Sequence, residues 1–177
     1  MKYCAFLRGV NVKGTNMKMA EVSQVFTDAG MKNVTSVLAS GNILFISEKN
    51  PEELKTALEK AMSEHFSYDA FLFIKSQSEI ENFWNGNPFK KDESLHCYTF
   101  IGNSGVENIL MKEFESASKT EQEEGKIINS NFYWQVPKGN TLDSTFGKIL
   151  GKKSLKDQFT SRNINTFEKI LKAFNKI

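Results

Sequence analysis

With 177 residues, 40% of them hydrophobic and 12% aromatic, the chain is long enough for one domain, or for two small halves around a real core. Fifteen Phe against three Pro exclude a disordered chain. The net charge is only +2 but unevenly spread: Lys2, Arg8, Lys13 and Lys18 precede the first acid, Glu21, and nine bases face three acids from Lys138 onward. The two ends therefore carry +4 and +6 and the middle −8, an asymmetry that suits an anion-binding surface or a set of solvated lysine faces.

The first expected element is a strand over residues 2–8, followed by a Gly- and Asn-containing loop over 9–16. Met19, Val22, Val25 and Phe26 recur at helical spacing, which predicts a helix over 17–29 with Gly30 as its stop. Strands are expected over 34–39 and 43–47 around Ser40-Gly41-Asn42, which has the composition of a tight hairpin. Pro51 opens a helix whose buried stripe is Leu54, Ala57, Leu58, Ala61 and Met62, ending near His65. Residues 70–74 read as a strand, which completes a β-α-β-β-α-β order, that of a ferredoxin-like unit.

A short linking helix over 78–84 and a Gly/Asn/Pro stretch over 85–88 follow. The order then restarts: strand 96–101, helix 106–116, strands 126–129 and 132–136 around Ser130, and a helix over 141–150. Residues 153–159 fit no single element, and the last helix is expected to start near Asn163. Residues 3–9 align on 96–102, matching Cys4 to Cys97 and Gly9 to Gly102, and Ser40 to Asn42 correspond to Asn129 to Asn131. The expected fold class is therefore α+β: two ferredoxin-like halves from an internal duplication, 1–77 and 78–177, with a C-terminal helical extension.

No signal peptide or membrane span is expected, since the first apolar run, 3–7, is short and ends at Arg8. The expected location is the cytoplasm, with Cys4 and Cys97 as buried, reduced thiols. His65 and His96 have no Cys or carboxylate at ligand spacing, so neither a metal site nor a cofactor is expected.

Arg8 and Arg162 are the only arginines among 23 basic residues. Guanidinium grips carboxylate or phosphate through two parallel hydrogen bonds, which lysine does not. Both arginines sit in Asn-containing polar motifs, Arg8-Gly9-Val10-Asn11 and Thr160-Ser161-Arg162-Asn163. In a ferredoxin-like unit the first and second strands run in the same direction. The loop after Arg8 thus lies at the same end of the sheet as Ser40 and Asn42, and it feeds a helix N-terminus. Arg8, Asn11, Lys13, Ser40, Asn42, Arg162 and Asn163 are the candidate ligand-binding residues. The competing reading gives the same groups structural ion pairs, loop closure and helix caps.

The loop is a near miss to a phosphate-binding P-loop: Gly9 and Gly14 have the interval, but Thr15-Asn16 stands where Lys and Ser/Thr are required. No nucleophile elbow or dinucleotide-binding glycine fingerprint is present. Phe6 and Phe45 occupy strands that carry stacking aromatics in RNA-binding sheets, but the basic-aromatic pattern is absent.

The motifs Leu7-Arg8-Gly9-Val10-Asn11-Val12, Met19-Ala20-Glu21, Leu38-Ala39-Ser40-Gly41-Asn42-Ile43-Leu44-Phe45 and Thr160-Ser161-Arg162-Asn163-Ile164-Asn165-Thr166 resemble an uncharacterised bacterial family, domain of unknown function 1697. The resemblance spans nearly the whole chain and implies two related α+β halves, with no established activity, cofactor or partner. The chain departs from the family's pattern at Lys13, where glycine is frequent, and at Ile164, where tryptophan is frequent. The expected function is binding of a small phosphorylated or carboxylated ligand. The alternatives left open are nucleic-acid binding through the lysine-rich ends and an enzyme whose catalytic groups are unassigned. The sequence does not specify an oligomeric state.

Overall fold

The computed structural model describes residues 1–10 and 16–177. Contacts divide them into two compact units, the first made of Met1–Glu81 and Glu168–Ile177 and the second of Asn82–Phe167.

The first unit contains β1 (Lys2–Arg8), α1 (Met19–Asp28), β2 (Lys32–Ser36), β3 (Asn42–Ile46), α2 (Pro51–Phe66) and β4 (Phe71–Ser76). Its sheet has the order β2-β3-β1-β4, and every neighbouring pair is antiparallel. Alternation along β1 turns Tyr3, Ala5 and Leu7 toward a core shared with Val22 and Phe26 of α1 and Leu54, Leu58 and Met62 of α2. Cys4 and Phe6, on the opposite face, are fully buried as well. Burial on both faces is why the strand reads as one apolar run instead of an alternating one.

Local chemistry sets the helix ends. Asn50 caps α2 by accepting from the Glu53 N–H at 3.0 Å, and Pro51 occupies the first turn, where its missing N–H costs nothing. Helix α1 stops at Gly30, which has φ +90°, and Met31 N–H returns to Phe26 O at 3.1 Å.

The chain continues through α3 (Gln77–Asn85), which passes from the first unit into the second. The second unit repeats the plan with β5 (Leu95–Gly102), α4 (Val106–Ser116), β6 (Glu124–Ile128), β7 (Asn131–Pro137) and β8 (Phe159–Asn163), in the sheet order β6-β7-β5-β8. Helix α5 (Ile164–Phe174) follows and ends in the first unit. The two halves thus have the same strand order and the same antiparallel pairing. Phe100 on β5 faces the aromatic core with Tyr98 packed against it, so Cys97 lies on the other face, as Cys4 does in β1.

Two sequence expectations are corrected. The hairpin loops are not alike: with Cys4 set on Cys97, Leu44 opposite the first falls on Gln135 opposite the second, so Asn131 answers to Ser40 and not to Asn42. Asn129 and Ser130 form a two-residue turn with φ +49° and +61°, whereas β2 ends at Ser36 and the first loop occupies residues 37–41. The helix expected over 141–150 is replaced by turns and a short 3-10 segment, Gly147–Gly151, and a second one, Lys153–Leu155, follows it. Here Ser144 Oγ takes the Gly147 N–H at 2.8 Å, and Gly147 packs so closely on the Thr141 carbonyl that a Cβ would collide with it. Leu142 is 70% exposed, so the spacing does not mark a buried face. Phe146 and Ile149 anchor the segment in the aromatic core, with the Phe146 ring centroid 5.0 Å from Trp134 and 5.4 Å from Phe114.

Candidate functional site

The strand pairing brings the expected loop and hairpin of the first unit together. Leu7 N–H donates to Gly41 O at 2.8 Å, and Gly41, with φ +75°, lies so close that a Cβ would meet Val10 Cγ2 at 2.7 Å. Arg8 ends β1 opposite Phe71 and is half-buried. Asn42 is fully buried and donates through Nδ2 to Val37 O at 2.8 Å and Ser40 Oγ at 3.0 Å, so its amide closes the loop. Asn11 and Lys13 lie outside the described residues.

Arg162 and Asn163 belong to the second unit. Arg162 is 8% exposed, and its Nη1 donates to Thr160 Oγ1 and Ser161 O, each at 2.8 Å. Asn163 Oδ1 accepts the Asn165 N–H at 3.0 Å, which caps α5. That bond orients the amide, so Nδ2 is left to face His96 Nδ1 at 3.1 Å. The hydrogen-bond network therefore assigns Nδ1 as the acceptor and puts the proton of neutral His96 on Nε2. Burial, then the Lys138 ammonium, holds the His96 pKa below the usual imidazole value and favours that neutral form.

Of the five expected site residues that the structure describes, Asn163 alone lines a cleft of the second unit, a cavity of about 680 Å³. The other lining groups come from the end of α3 and the segment after it, from β5, from β7 and from the start of α5. Trp84, Asn85 and Asn87 form one wall, and Lys90, Lys91 and Lys138 supply three ammonium groups. Asp92 and Glu93 reduce the formal charge of the lining to +1. The Ser94 hydroxyl and N–H bind one oxygen of Asp92, at 2.6 and 2.7 Å, and hold its pKa below the ordinary value.

The Asn85–Asn87 wall is braced from behind. Tyr133 donates its hydroxyl to Phe83 O at 2.9 Å, and Gly86 gives the phenol room, since a Cβ would stand 2.7 Å from it. Burial and the neighbouring Cys97 push the Tyr133 pKa up, so the phenol stays a donor. Asn87 Oδ1 accepts from Phe89 N–H at 3.2 Å and from the Cys97 thiol at 3.3 Å, which joins the wall to β5. Burial pushes the Cys97 thiol up to about 12, so it is a protonated donor and not a thiolate nucleophile.

Sequence reasoning missed most of this cleft. His96 was weighed only as a metal ligand, and residues 85–88 read only as a Gly/Asn/Pro stretch. The signal available was Asn85, Asn87, Lys90 and Lys91 in one short polar stretch just before the duplicated strand. Among the described residues, no three His, Cys, Asp or Glu side chains cluster as metal ligands, and no helix is long and apolar enough to cross a membrane. Phe6 and Phe45 are both fully buried, Phe45 against Phe26 and Tyr3, and neither offers a stacking surface.

Fold and cleft together define a duplicated ferredoxin-like α+β protein with a polar pocket in its second half. Residues 1–133 match the family described as protein of unknown function DUF1697, and the chain belongs to that family. A solved structure of a conserved bacterial protein from Streptococcus pneumoniae is similar over 97% of both chains, at 25% identity and a TM-score of 0.77. No curated protein matches the chain.

Proposed function

We propose that this protein binds a small anionic ligand, phosphorylated or carboxylated, in the cleft of its second unit. One observation carries the reading: Lys90, Lys91 and Lys138 line a cavity of about 680 Å³, and none of them has a carboxylate within ion-pair distance among the described residues, Lys138 acting on Asp92 only at longer range. That volume lies in the range of small-molecule sites. The neutral His96 adds an N–H donor without adding charge, and the start of α5 at Ile164 and Asn165 adds a positive helix end to the same wall. Asn163 is the expected site residue that enters this reading. Arg162 does not line the cleft, its guanidinium being engaged within its own strand by Thr160 and Ser161, and Asn42 closes the loop of the first unit and takes no part in this reading. The two cysteines, neither in a disulfide, agree with a reducing cytoplasmic setting.

Calorimetric titration with a panel of phosphomonoesters and small carboxylates tests the proposal. Binding is expected to weaken at least tenfold in Lys138→Ala and in Lys90→Ala/Lys91→Ala, and to be unchanged in Arg8→Lys and Arg162→Lys. Loss of binding in the arginine variants alone returns the site to the arginine motifs. A shallow salt dependence is expected; a steep one, with affinity for oligonucleotides, supports the nucleic-acid reading instead.

A further inference from the structure

The cleft is far larger than a phosphate or carboxylate group needs, and its lining is divided. One part carries the cations and N–H donors already described. The other carries Trp84, together with the exposed Asn85 and the half-buried Gln135, whose side-chain amides have no hydrogen-bond partner among the described residues. A primary amide offers a donor and an acceptor side by side, the pattern that pairs with the edge of a nitrogen heterocycle. An indole face beside such amides suits a planar ring, which stacks on it. Two further cleft amides are already committed: Asn163 to the α5 cap and His96, and Asn87 to Phe89 and Cys97.

Resting on the anion-binding reading, we propose that the ligand is a phosphomonoester of a planar nitrogen heterocycle, of nucleoside monophosphate size. The ring lies against Trp84 with its edge toward the amides of Asn85 and Gln135. The phosphate lies toward Lys138, the His96 Nε2–H and the start of α5. A phosphate has three terminal oxygens and takes several donors at once, which suits a lining that holds the Lys138 ammonium, the His96 imidazole and the start of a helix. Lys90 and Lys91, both exposed, contribute charge at the mouth.

Trp84 provides the readout. The only other tryptophan, Trp134, is fully buried and its indole N–H is bound to Glu123, so a ligand-dependent change in emission reports Trp84. The full chain is titrated separately with adenosine monophosphate, uridine monophosphate, ribose 5-phosphate, adenosine and inorganic phosphate, and calorimetry is run in parallel. At least one monophosphate is expected to quench emission saturably and to bind at least tenfold more tightly than ribose 5-phosphate, adenosine or phosphate. Trp84→Ala is expected to lower that monophosphate's affinity roughly five- to hundredfold, the range of one lost stacking contact. The same variant is expected to leave ribose 5-phosphate unchanged, and Trp84→Phe to restore most of the loss, which separates stacking from misfolding. Equal binding of ribose 5-phosphate and the nucleotides overturns the ring assignment and leaves the anion reading standing. Adenosine binding as tightly as its monophosphate overturns both, and so does the absence of binding by every probe at millimolar concentration.

Discussion

Cys97 gives the sharpest quantitative expectation, because it lies on the cleft wall and yet is held as a thiol. Burial raises its pKa from 9.0 to about 12, and its S–H donates to Asn87 Oδ1 at 3.3 Å. At a pH below both values the thiolate fraction falls in proportion to the acid dissociation constant, so near pH 7.5 it lies on the order of a thousandfold below that of an ordinary cysteine. Alkylation and disulfide exchange proceed through the thiolate. Reaction of the native protein with Ellman's reagent or iodoacetamide should therefore be slower by that order than reaction of the urea-unfolded chain, in which both cysteines react freely. Cys4 adds no fast phase, since it is fully buried. The linkage has a definite sign. Above about pH 9 the unfolded chain releases the Cys97 proton while the folded chain keeps it, so stability falls as pH rises toward 12, by at most about 1.4 kcal/mol for each tenfold drop in proton concentration. Cys97→Ala should remove that part of the alkaline slope, leaving the contributions of Tyr133, raised by burial, and of Tyr68, whose hydroxyl is raised to about 12 by burial and by Glu59. Labelling of native Cys97 at the rate of the unfolded chain would refute the reasoning and reopen a nucleophilic role at the cleft.

Phe146→Ala should cost about 3–5 kcal/mol in urea unfolding, because its ring touches Phe100, Phe114, Phe132 and Trp134 and no neighbour can refill the space. A loss below about 1 kcal/mol would mean that the 141–150 segment is not anchored as described. Gly41→Ala should destabilise by about 1–2 kcal/mol through its positive φ alone, and more as Val10 is pushed aside, measured as a lowered melting temperature. His96 should titrate below pH 6.5 in an NMR pH series and show the Nε2–H tautomer at neutral pH. The unfolded chain takes up that proton first as pH falls, so this group lowers stability through the window just below 6.5. Asn163→Ala should free Nδ1, raise the His96 midpoint, and cost about 1 kcal/mol for the lost α5 cap.

Element order was the most legible feature of the sequence. Turn residues and helical periodicities marked β1 through β4 and, with Cys4 against Cys97, the restart of the same plan. Topology also carried the end of β1 to the Ser40–Asn42 loop, where Leu7 binds Gly41. Two things were hidden. The segment after β7 has helical spacing but folds around Gly147 and the Ser144 hydroxyl, a side-chain-to-backbone choice that periodicity does not register. The cleft was hidden because its groups come from three separated stretches, and a Gly/Asn/Pro composition concealed the wall formed by Trp84 to Asn87. The arginines drew attention by rarity, yet Arg162 is buried and bound by its own strand. Rarity in composition does not distinguish a ligand grip from an internal brace.

The central claim is that the second-unit cleft, and not the arginine motifs, receives an anion. Backbone amide NMR during titration of the full chain with a nucleoside monophosphate tests it most directly. Saturable shifts should appear at residues 84–97, 135–138 and 163–165, with residues 8–10 and 38–42 unmoved. Shifts confined to the region of Arg8 and Ser40, or no saturable shift at all across the phosphomonoester and carboxylate panel, would contradict it.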